Sequence, residues 1–202
     1  MNKHLNLRSF TLIGILANFC FILFIFLGFA YYLMWEYAGS DTLVTVGEIG
    51  IKPFEILGFV AMAIQTSGYI ILIRGNKTFR TLQAAFFLVE LVLMLFDFRI
   101  IDVSFYDGRN AVLVILHMLF SVLFIGSFSM INNNNEKLRK AIYIAVSIAI
   151  FSPVLFWALF SFQVYFSMLA DCIALLVIYS VMYFEMLKEE LWVDAIDFGE
   201  DE

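Results

Sequence analysis

Three polar residues of one apolar run share a face. In "TLQAAFFLVELVLMLFDFRI", Gln83, Glu90 and Asp97 recur at intervals of seven, and an α-helix drifts by only about 20° over each such step. At 1.5 Å per residue the stripe covers about 21 Å of helix axis. Carboxylates in that setting bind or pass positive charge: a proton, a cation, or a polar solute that carries one. A charged acid at the centre of a membrane helix costs about 2.5–3.5 kcal/mol. Glu90 therefore needs a proton or a partner, and its face must look into the protein. Asp97 lies close to the end of the run, where Arg99 or Arg109 can pair with it.

Companions for Glu90 fall at similar depth in other apolar runs. Asp171 in "SMLADCIALL" has Ser167 one turn before it, and His117 in "LVILHMLFSV" has Ser121 at i+4 on the same face. Asn18 and Gln65 fall level with Glu90. The expectation is that Glu90, Asp171 and His117 converge on an outward-opening cavity that takes a proton, a cation or a polar solute. Gln65 and Asn18 are further binding candidates, and Asp97 and Gln83 are secondary ones. Histidine suits the chemistry because its unperturbed pKa of about 6.5 makes it easy to switch near neutral pH. The structural alternative is that the same groups satisfy one another by hydrogen bonds and fix which helices are neighbours.

The elements that position these residues follow from composition. Of 202 residues, 63% are apolar and 15% charged, and the mean hydropathy is +0.93; soluble domains carry about 45–50% apolar and about 25% charged residues. The chain is expected to be all-α, a polytopic integral membrane bundle. Apolar runs over about 10–33, 53–73, 81–101 and 111–131 each match a bilayer crossing of about 20 residues. The apolar stretch from Ala141 to Leu187 is too long for one crossing and divides into 141–161 and 164–187, with a tight hairpin near Ser161 to Gln163. Residues 1–187 then form a single six-helix transmembrane domain, and 188–202 an acidic tail. The first run exceeds the apolar core of about 7–15 residues in a signal peptide and lacks a cleavage signature, so it reads as a retained helix.

Orientation follows from the Lys and Arg residues of short loops, which favour the cytoplasmic side. With both termini in the cytoplasm, nine of the twelve cations face inward, and only Lys52, Arg99 and Arg109 face outward. The chain is expected to be integral to a cell membrane, plasma or bacterial inner. The sequon Asn76-Lys77-Thr78 then lies in a cytoplasmic turn and is expected to carry no glycan. The connection from Glu36 to Lys52 contains "TLVTVGEIGI", whose β-branched residues and glycines suggest a short hairpin or a flap over the outer face. Tyr31, Tyr32 and Trp35 read as interfacial anchors, and Trp192 and Phe198 as contacts with the inner surface. Pro53 suits a first helical turn. Gly58, Ala61, Gln65 and Gly68 mark a close-packing face, and Ser152-Pro153 should bend the fifth helix.

Several classes of chemistry lack their residues. Cys20 and Cys172 form no CxxC or Cys/His spacing, which argues against a redox pair or a structural zinc site. Only one histidine lies inside an apolar run, too few for a zinc protease or a bis-histidine haem. No cofactor and no metal are expected, and no enzyme activity. The few, scattered cations argue against nucleic acid as a partner. Two functions remain. One is a small transporter, or a solute- or ion-binding membrane subunit, that uses the intramembrane carboxylates. The other is a non-catalytic membrane regulator or assembly subunit, acting through helix packing and through a tail, Lys188 to Glu202, that docks on a basic protein partner.

Overall fold

In the computed structural model of the chain, residues 3–38, 41–97, 109–131, 135–160 and 164–188 are described, and their regular structure is helical throughout. Six helices follow in order: α1 (Lys3–Ala38), α2 (Asp41–Leu72), α3 (Lys77–Asp97), α4 (Arg109–Ser127), α5 (Glu136–Phe160) and α6 (Val164–Lys188), with a 3-10 turn over Phe128–Met130 closing α4. Three of them contain stretches long and apolar enough to cross a membrane: Asn6–Ala30, Lys52–Leu72 and Met168–Leu187. A shorter apolar stretch runs from Ile115 to Met130. In apolar surroundings a helix satisfies its own backbone groups, which is why runs rich in β-branched and aromatic residues are helical here.

Polar residues set two of the helix starts. The Asn76 side-chain oxygen accepts from the Phe79 backbone N–H at 2.9 Å, and Asn135 does the same for Leu138 at 2.9 Å. Each supplies a partner for one of the unpaired N–H groups of a first turn. Asn76 also donates to the Met130 carbonyl at 3.5 Å, tying the turn before α3 to the end of α4.

The connection after α1 differs from its expected form. Residues 41–52 are not a hairpin or flap but the first three turns of α2, so Pro53 is interior to that helix instead of in its first turn. A proline ring tolerates the interior when the carbonyl it faces finds water or another donor, and Pro53 is exposed. The β-branched residues before it have only a weak preference against helix, which the continuing helix overrides. The side chains of Tyr31, Tyr32, Trp35 and Pro153, the turn 161–163, Arg99 and the tail beyond 188 lie outside the described residues or side chains; α5 is helical through position 153.

Around the bundle α1 packs along α2 and α6, α3 lies between α2 and α4, and α5 joins α4 to α6. A direct α4–α6 contact crosses the ring. The α1–α2 seam uses the small-residue face. A side-chain carbon at Gly58 would sit 3.3 Å from the Ala17 carbonyl, and one at Gly68 would collide with the Phe10 ring. Gly14 meets both neighbours of α1 at once: a side-chain carbon there would lie 3.1 Å from Tyr179 and 3.2 Å from Gln65. Aromatic rings fill the core at one end, where Phe79, Tyr69, Phe124 and Tyr179 all surround Phe128 with centroids 5.4–6.3 Å away.

Candidate functional site

Helices α3, α4 and α6 each bring one titratable residue to a common point. Neighbouring helices that all touch α4 carry Glu90 and Asp171 to opposite sides of the His117 ring. Glu90 Oε1 lies 2.7 Å from His117 Nε2, and Asp171 Oδ2 lies 3.1 Å from His117 Nδ1. Ser121, one turn along α4 from His117, donates its hydroxyl to the same Asp171 Oδ2 at 2.6 Å. The histidine side chain is 0% exposed, that of Glu90 9% and that of Asp171 5%.

The proton count of this cluster follows from its geometry. Two nitrogen–oxygen contacts require two shared protons, wherever along each contact they sit, because neither atom pair is attractive without one. A neutral imidazole with two carboxylates has only one. With both contacts made, the cluster holds one added proton and carries a net charge of −1. One further positive charge would neutralise it. A buried charge without compensation is strongly disfavoured.

Glu90 and Asp171 also line a cavity of about 20 Å³ with Asn18, Gln65, Cys172 and Tyr179 among its walls. Asn18 turns its amide nitrogen to the Gly14 carbonyl at 2.7 Å. Gln65 lies beside the Tyr69 and Tyr179 hydroxyls, and Tyr69 shares a 2.7 Å hydrogen bond with Thr11. The cavity's apolar walls include Phe86, which stacks on Phe124 with centroids 4.2 Å apart and planes 12° from parallel. Among the described residues no set of three His, Cys, Asp or Glu side chains has an arrangement that would hold a metal ion. Both nitrogens of His117 already face carboxylates, which removes the lone pairs a metal would use.

Of the residues singled out by the sequence, Glu90, His117 and Asp171 meet directly, and Gln65 and Asn18 face the adjoining cavity. Gln83 is 0% exposed and neither of its amide atoms has a hydrogen-bond partner among the described residues. Asp97 is the last residue of α3, with its side chain outside those described. Sequence reasoning overlooked Thr11, Tyr69 and Tyr179. Helical spacing carried the signal: Tyr69 is at i+4 from Gln65, and Tyr179 at i+8 from Asp171. Comparison with family models, with curated proteins and with solved structures finds no match for the chain.

Proposed function

We propose that the chain is an integral membrane protein of six crossings with both termini in the cytoplasm, and that it works as a small transporter or as the ion-binding membrane subunit of one. The observation that carries this reading is the fully buried His117 held between Glu90 and Asp171, a cluster one positive charge short of neutral. Ionisable groups at membrane depth are costly and commonly mark ion or solute pathways. The number of crossings is supported by the outward apolar faces of the three helices without a long apolar span of their own, such as Leu88 and Val92 on α3, Leu119 and Leu123 on α4, and Ile144, Phe151 and Leu155 on α5. Orientation is supported by the uneven distribution of Lys and Arg.

The geometry favours binding of a small cation or a proton over an organic solute, because the cavity has room for about one water molecule. The test is uptake of positive charge by the purified chain in proteoliposomes. Glu90→Gln and Asp171→Asn each remove a negative charge from the cluster and should abolish uptake, while thermal melts show that the protein still folds. Wild-type uptake in both variants would sink the reading.

A further inference from the structure

Two buried polar atoms at the site make no hydrogen bond of good geometry among the described residues: Asp171 Oδ1 and Gln65 Nε2. Their residues are 3% and 2% exposed, and both line the same cavity. One atom accepts and the other donates. The space between the walls, about 20 Å³, suits a single water, which needs about 10–15 Å³ by the same measure. An acceptor and a donor on two residues that line one water-sized space are complementary to a molecule that gives a hydrogen bond to Asp171 and takes one from Gln65.

Resting on the reading that the cluster takes up positive charge, we infer that the charge is a proton, delivered to Asp171 Oδ1 by a water molecule that Gln65 holds in place. Three features select the proton over other cations. An alkali or alkaline-earth ion wants several converging oxygens, whereas the few polar groups of this cavity stand among mainly apolar walls such as Phe21, Phe86 and Leu175. Ammonium has no lone pair with which to accept from Gln65. The second carboxylate oxygen, Asp171 Oδ2, is already used by Ser121 and His117, which leaves Oδ1 for the new bond.

The loading step balances without any other reactant. The neutral water held by Gln65 gives one proton to Asp171 Oδ1 as it takes one from an arriving hydronium: an O–H bond forms at Asp171 Oδ1, one O–H bond of the hydronium breaks, and both are left as water. The two protons in the His117 contacts stay where they are, and the cluster passes from −1 to neutral. Release is the reverse. Beyond Gln65 the polar groups continue through Tyr69 to Thr11, at 2.7 Å, along the inner side of α1. Gln65 is thus a positioning residue, acting through the water it orients.

The test uses the full chain in phosphatidylcholine–phosphatidylglycerol vesicles loaded with a pH-sensitive dye and given an acid pulse. The expected result is protein-dependent acidification that does not change when sodium or potassium is replaced by a large organic cation. Asp171→Asn should abolish it, and Gln65→Leu should slow it by about tenfold or more, since a hydrogen bond to the transferring water is lost. Infrared difference spectra of the unmutated protein between alkaline and acid buffer should show a carboxylic-acid C=O band that is missing in Asp171→Asn and retained in Gln65→Leu. Uptake of sodium or potassium without proton movement would overturn the inference and leave the function proposed above standing. No ion movement of any kind and no carboxyl band would overturn both. Wild-type acidification in Gln65→Leu would remove the role given to Gln65.

Discussion

Glu185 and Glu90 are both buried acids with a nitrogen partner on another helix, and the partners differ in where they stand. Lys137 of α5 reaches Glu185 of α6 at 3.0 and 3.2 Å, and the lysine side chain is itself 64% exposed. His117 meets Glu90 at 2.7 Å with 0% exposure. One pair keeps a charged end in water at the edge of the bundle. The other is out of water at both ends, where a gained or lost proton changes the charge of a low-dielectric interior and is felt strongly by every neighbour. The first arrangement pegs two helices together. The second makes the packing of three helices depend on protonation.

The largest expected effect tests the second arrangement. His117→Leu leaves two buried acids facing each other without a base, and breaking a buried pair by removing one partner costs about 3–5 kcal/mol. A large fall in detergent melting temperature is expected, and adding Glu90→Gln and Asp171→Asn to His117→Leu should restore much of it. Equal stability of the single and triple variants would mean that the three residues are not coupled.

Next in size is Gln83→Leu. An unsatisfied buried amide costs about 1–3 kcal/mol, so the leucine variant should melt at a higher temperature than the parent. A lower one would show that the amide has a partner worth keeping. The smallest effect belongs to the exposed end of the comparison. Lys137→Ala should lower stability by about 1 kcal/mol or less, shrinking further as salt is added, because half-solvated pairs are weak and screened. A salt-independent loss as large as that of His117→Leu would erase the distinction between the two pairs.

The level of the site was legible in the sequence, and its partners were not. Counting residues from the charged ends of each run puts Glu90, His117 and Asp171 at a common depth, because rise per residue is fixed. Which of them touch depends on the order of helices around the bundle, and no periodicity within one helix encodes that order. The direct α4–α6 contact is what brings Asp171 to His117. The small-residue face of α2 was legible because glycine spacing is local, and Gly58 and Gly68 do lie against α1. The start of α2 was misread because Gly47, Gly50 and the β-branched residues near them resemble a turn taken alone, while the helix they join runs on to Leu72. Thr11, Tyr69 and Tyr179 escaped notice because hydroxyls in apolar runs read as anchors or filler until a second helix supplies the group they bond.

The stacked rings of Phe86 and Phe124 bear on leakage. Phe86 stands on α3 between Gln83 and Glu90, and the two rings, 4.2 Å apart, offer no atom that can pass a proton onward. Gln83 and Glu90 are separated by two helical turns, roughly 10 Å along the axis. The polar stripe that looked continuous in the sequence is therefore electrically interrupted, with an aromatic insulator dividing one deep acid from the amide below it. On the function proposed above, such a break would keep a membrane's resting voltage from discharging through an acid that is charged from one side.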